Sequence, residues 1–199
     1  MLFRSGEEGE VIPDFLRLLA VSDADQLGGY RIGELRAACA ALGVSDHRYL
    51  GGVGRWRDSG MAGTPANEHP RAFVRGDRAE QVEALAAILA EVRPQVVVTY
   101  GPDGGYGHPD HIAAHRVTVA ACDVSNVDRL FHVVTSRQAT EKGVAELSGV
   151  DGLPYRLPEP GELPVTDDTE ITTVVPIAET LPAKLAALRA HAKIGRAHV

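Results

Sequence analysis

The sequence predicts an α/β domain built on a mainly parallel, twisted sheet with helices on both faces. Three observations carry this. Stretches with apolar residues at 3–4 spacing alternate with short β-branched runs. One of those runs, Gln95 to Tyr100, is continuous rather than alternating, the pattern of a strand covered on both faces. Directly after it, a glycine-rich turn opens a helix, the position where ligands bind in such sheets.

In chain order, Gly6-Glu7-Glu8-Gly9-Glu10 reads as a loop, and Pro13 to Leu19 starts a helical pattern. A helix is predicted over about Arg31 to Leu42, where Ile32, Leu35, Cys39 and Leu42 share a face and Gly43 stops it. Val44 to Leu50 reads as a short strand. The loop from Gly51 to about Asp77 is longer than connections usually are without a function. A helix over Arg78 to Val92 carries Val82, Leu85, Leu89 and Val92 as its stripe, and Pro94 ends it. After the strand at 95–100 and the turn at 101–107, His108-Pro109-Asp110-His111 opens a helix to about Cys122. Leu130 to Thr135 is a further strand. Residues 143–180 hold eight acidic residues against the single Arg156, and five prolines, so an irregular excursion is expected over about 143–176, with a strand at Ile171 to Val175. Ala178 to Ala192 is the last helix. No internal repeat is present.

Composition narrows the function classes. With 44% hydrophobic and 24% charged residues the chain is an ordinary globular one, and its 199 residues suit a single domain. The net charge of −7 argues against a nucleic-acid-binding face. Cys39 and Cys122 can form neither a disulfide framework nor a four-cysteine metal site, and both sit in apolar helical stretches as small hydrophobes. No apolar run reaches the ~20 residues of a membrane span, and the first residues lack a signal-peptide core, so a cytoplasmic location is expected. The oligomeric state is not legible.

The chemistry concentrates at Tyr106-Gly107-His108-Pro109-Asp110-His111. Pro109 suits the first helical turn, where its missing N–H costs nothing. His108 and His111, three apart, can face one side, and a helix N-terminus favours the neutral imidazole that a metal requires. An adjacent carboxylate, Asp110, can fix a histidine tautomer. His115, His47, His69, His132, His191 and His198 lack such a setting and read as structural or solvated. A catalytic zinc site wants about three protein ligands, and no convincing further partner stands out, with Asp58 and Glu10 the only candidate carboxylates. Dinucleotide binding fails at both glycine turns: Gly52-x-Gly54 is followed by Arg57 and Gly105-x-Gly107 by Asp110 where the third glycine belongs. A non-haem iron triad built on His108-x-Asp110 remains an alternative, though such sites favour β-rich barrels.

Several segments together resemble the LmbE-like (PIG-L) zinc deacetylases. They are Gly6 to Ile12, Ala24 to Arg31, Tyr49-Leu50-Gly51-Gly52, Gly54 to Thr64 with its Arg55-Trp56-Arg57-Asp58-Ser59-Gly60-Met61 core, and Val96 to His111. The resemblance is dense from about Gly6 to Leu130, and most similar to members that deacetylate N-acetyl-glucosaminyl-inositol in mycothiol biosynthesis. It implies a Rossmann-like sheet, one Zn2+ per complete site, a small glycoside substrate and hydrolysis of its N-acetyl group. By the same resemblance His111 would be a metal ligand, and His108, Asp110 and Tyr106 would be catalytic. Glu10, Arg31 and Asp58 would line the sugar–inositol pocket. The alternatives are the sister mycothiol S-conjugate amidase and an inactive fragment that keeps only sugar affinity. The family's His-Pro-Asp-Asp-Glu motif is absent from the sequence. The expectation is therefore a single domain over 1–199 lacking its first βα unit, with foreign ends at 1–5 and 193–199, an exposed sheet edge, weak zinc binding and little turnover.

Overall fold

A computed structural model describes residues 3, 5–153 and 156–192. Its centre is a βαβ unit. Strand β1 (Val97–Tyr100) leads through the glycine turn into helix α3 (Pro109–Ser125) and back to β2 (Leu130–Val133). The two strands pair in parallel, with Val97 opposite Leu130 and Tyr100 opposite Val133. The chain is thus α/β with a parallel sheet, as the alternation of patterns implied. Helices α1 (Leu27–Ala41), α2 (Arg78–Val92), α4 (Arg137–Leu147) and α5 (Leu181–Arg189) complete the regular structure, with α2 packed on α3, α3 on β1, and α1 on α5.

The core lies between α2, α3 and the long loop before α2. Leu50, Trp56, Phe73, Leu85, Leu89, Val117 and Cys122 form it, with Val97 and Leu130 packed against its edge. Trp56 meets Phe73 edge-on at 5.9 Å. Burial of the Cys122 thiol pushes its pKa up, which keeps it an inert apolar group. Caps fix the ends of these helices. The Asp77 carboxylate accepts the Glu80 N–H at the start of α2, and the left-handed Arg93 and Asn126 close α2 and α3.

Several expectations are corrected. The Pro13 to Leu19 pattern is a 3-10 helix, Asp14–Leu19. Helix α1 starts at Leu27, ahead of Arg31, because Gly28 and Gly29 hid its start behind low helix propensity. Helix α3 runs on to Ser125, past Cys122. The last helix is shorter than 178–192, a 3-10 turn at Ala178–Thr180 followed by α5. Neither Val44–Leu50 nor Ile171–Val175 forms a strand among the described residues, because β propensity needs a neighbouring strand to pair with. Val174 and Val175 are instead largely exposed. Strand β1 is covered on one face only: Thr99 is buried against Thr118 of α3, whereas Val98 is 60% exposed. Helix α4 lies partly in the stretch read as irregular. Its N-cap Ser136 accepts the Ala139 N–H, and the described residues of 148–167 carry no helix or strand.

Residues 193–199 lie outside the described residues, as do 1, 2 and 4. Phe3 packs on Phe73 with ring centroids 5.4 Å apart and the rings tilted by 51°, and Ser5 is buried.

Candidate active site

The turn between β1 and α3 is shaped by main-chain geometry. Gly104, Gly105 and Gly107 all have positive φ, and the Asp103 carboxylate accepts the Gly105 N–H. A Cβ on Gly104 would lie 2.9 Å from that of His111, so glycine there lets the turn fold onto the first turn of α3.

His108 is the N-cap of α3. Its Nδ1 accepts the Asp110 N–H at 3.1 Å, so the neutral ring carries its proton on Nε2. That nitrogen faces the Asp58 carboxylate at 3.9 Å. His111 is arranged in the opposite sense. Its Nδ1 lies 3.2 Å from the Gly104 carbonyl, which can only accept, so Nδ1 carries the proton and Nε2 the lone pair. The His111 ring stacks between Tyr100 at 4.0 Å and His108 at 4.7 Å, and Tyr106 stands edge-on to both histidines. Tyr106 is 56% exposed, over the outer side of this stack.

The tautomer of His108 is thus fixed by the main-chain N–H of Asp110. The Asp110 carboxylate, 2% exposed, accepts the Ser59 N–H at 3.1 Å and so ties α3 to the long loop. Asp58 is equally buried, its own carboxylate accepting the Gly60 N–H. Asp58, His108 and Asp110 bring ligand atoms within 4.8 Å of one another, a group that could hold a metal ion.

The expected pocket residues are spread out. Asp58 is at the cluster. Arg31 donates to the Gly6 carbonyl at 2.8 Å, and Glu10 is exposed four residues beyond Gly6. A cavity of about 350 Å3 borders the same turn, lined in part by Ala62, Gly107, Pro109 and Ile112, but no residue of the cluster lines it.

Sequence reasoning missed Glu7, Ser59 and Arg57. Glu7 is buried and its carboxylate accepts the Asp58 N–H at 2.9 Å. Arg57 is buried between Asp25 and Glu8. Hydrogen bonding to Asp25 holds Arg57 firmly charged, whereas burial pushes the Glu8 carboxyl up against the opposing pull of Arg57. The sequence signals were the Glu7-Glu8 doublet inside an otherwise glycine-rich segment and the place of Arg57 and Ser59 on either side of Asp58.

Residues 4–122 match the family described as PIG-L: GlcNAc-PI de-N-acetylase. A curated relative from Actinosynnema mirum, named 1D-myo-inositol 2-acetamido-2-deoxy-alpha-D-glucopyranoside deacetylase, is 66% identical over 187 residues, covering 94% of this chain and 66% of its own length. An enzyme of the same name, numbered 1, from Saccharopolyspora erythraea is 61% identical over 94% of this chain and 64% of its own. Another of that name from Saccharomonospora viridis is 61% identical over 94% and 70%. The chain spans about two thirds of the length of these relatives. With the matched region running from the buried first segment through the whole of the β1–α3 turn, the chain belongs to the PIG-L de-N-acetylase family.

Proposed function

We propose that this chain hydrolyses the N-acetyl group of N-acetyl-glucosaminyl-inositol, with a zinc ion held in part by His111, and that it works in the cytoplasm on this small glycoside. The relatives' names and the family support the substrate class. The observation that carries the site assignment is the hydrogen bond from His111 Nδ1 to the Gly104 carbonyl. Metal-binding histidines usually donate their second nitrogen to such an acceptor, leaving the other as ligand. His108 does not fit that role in its present tautomer, because its Nε2 carries a proton toward Asp58. A second reading, in which Asp58, His108 and Asp110 hold the ion, requires His108 to give up that proton.

When bound, zinc would supply Lewis acidity and a more acidic water. The chain's own residues supply the rest. Amide hydrolysis must move one proton from water to the departing nitrogen. For His108 to carry that proton, its Nδ1 must let go of the Asp110 N–H and take the proton up, giving an imidazolium that Asp58 beside Nε2 stabilises and that then releases the Nε2 proton to the nitrogen. Tyr106, exposed beside both histidine rings, can donate to the tetrahedral oxyanion, worth roughly 3–4 kcal/mol for a good donor. Asp110 ties the first turn of α3 to the long loop through Ser59. Glu10, exposed in the first segment, and Arg31, half-buried on α1 and bonded to the Gly6 carbonyl, are suited to hydroxyl groups of sugar and inositol.

Zinc titration and acetate release test this together. His111→Gln should weaken zinc binding at least about tenfold, and Tyr106→Phe should lower kcat more than it raises KM. Unchanged zinc affinity in the glutamine variant would move the ion to the Asp58–His108–Asp110 group. An unchanged kcat with a raised KM would reassign Tyr106 to ground-state binding.

A further inference from the structure

Arg57 enters none of the roles above, yet it is among the most buried cations of the chain. Its side chain is 6% exposed. Its guanidinium forks onto both oxygens of Asp25, at 3.0 and 2.6 Å, and a second carboxylate, Glu8, lies at 3.4 Å. The main chain of Arg57 is fixed independently: its N–H donates to Arg71 and its carbonyl accepts from Phe73. One residue therefore ties together the first segment, the loop before α1 and the segment leading to the core at Phe73. Asp25 has a positive φ of 52°, a conformation that costs a non-glycine residue energy and aims its carboxylate at Arg57.

The next two residues are Asp58 and Ser59. Their N–H groups are bound by the carboxylates of Glu7 and Asp110. Glu7 stands beside Glu8, so whatever holds Glu8 also holds the acceptor of the Asp58 N–H. We infer that Arg57 is a positioning residue: by clasping Asp25 and Glu8 it holds Glu7, Asp58 and Ser59 where they meet His108 and Asp110. A bidentate guanidinium suits this because it fixes orientation as well as distance, which a lysine ammonium cannot.

The inference rests on the deacetylase reading only for its effect on turnover, so its first test is read without substrate. In Arg57→Lys, amide hydrogen exchange at Asp58 and Ser59 should accelerate at least about tenfold, while the amides of α3 from Val117 to Cys122 stay unchanged. Asp25→Asn keeps a residue tolerant of positive φ and removes only the charge of an exposed partner, so it covers the case in which the lysine variant fails to fold. It should speed the same two amides, and the double variant should show less than the product of the single effects. Acceleration spread evenly over the core, or none at Asp58 and Ser59, would overturn the clasp whether or not the chain turns over. In the zinc-loaded chain, Arg57→Lys should lower kcat about tenfold with KM within about twofold. A raised KM at unchanged kcat would make Arg57 part of the substrate wall. Absence of any deacetylation by the unsubstituted chain would count against the proposed function and leave the exchange result standing.

Discussion

Three glycines of α1 should respond oppositely to the same substitution. Gly28, Gly29 and Gly33 all lie within Leu27–Ala41. At Gly29 and Gly33 an added Cβ meets nothing within 4 Å. Alanine there gains helix propensity and loses unfolded-state freedom, a stabilisation of about 0.5–1 kcal/mol each. At Gly28 the same Cβ would lie 2.8, 2.9 and 3.0 Å from Oε1, Cγ and Cδ of Glu7. Glu7 cannot turn aside freely, because it is buried and its carboxylate binds the Asp58 N–H at 2.9 Å. Overpacking costs about 1–3 kcal/mol. Losing a buried hydrogen bond to a charged acceptor costs about 1.5–3 kcal/mol more. The clash outweighs the propensity gain, leaving Gly28→Ala less stable by about 2–5 kcal/mol. Urea unfolding of the three variants, compared at equal m-value, measures the difference. If Gly28→Ala is as stable as Gly29→Ala, Glu7 is not pinned, and the link from the first segment to Asp58 fails with it.

Two further outcomes follow from single contacts. Phe73→Ala removes a fully buried ring that meets both Phe3 and Trp56, and should cost about 3–5 kcal/mol by urea or thermal unfolding. Hydrogen bonding to Arg156 lowers the Glu162 carboxyl from its ordinary 4.5 to about 2. Its contribution is present above pH 4.5 and fades as pH falls through about 2, and because the pair is exposed, salt should weaken it. Arg156→Gln should return the Glu162 titration, followed by NMR, toward 4.5.

The elements legible in the sequence were those whose signal is local. Helices α2 and α3 announce themselves through Asp77, Pro109 and regular apolar spacing, and the turn at 101–107 through its glycines. The misreadings share a cause in the tertiary environment. Ile171–Val175 is β-branched throughout, and Val44–Leu50 carries Val44, Tyr49 and Leu50, but composition cannot tell a residue whether a strand lies beside it. Val98 belongs to an unbroken apolar run and still faces outward, since helices cover only the Thr99 face. Asp58 and His108 stand fifty positions apart, a separation that periodicity does not span; the family resemblance gave Asp58 a place in a sugar pocket, and the structure sets it against an imidazole.

The two histidines show where a motif stops being informative. His108-Pro109-Asp110-His111 predicts that both rings lie near one helix end, and they stack at 4.7 Å. Spacing alone makes them equivalent as metal ligands. The backbone separates them. At the N-cap, His108 Nδ1 meets an unpaired helical N–H and must accept, which places its proton on Nε2. One turn on, His111 Nδ1 meets a carbonyl that the positive φ of Gly104 has brought to it, and must donate. Under the proposed function, the same side chain thus serves as proton carrier in one place and as ligand in the other. Moving either hydrogen bond would exchange the roles without changing the motif.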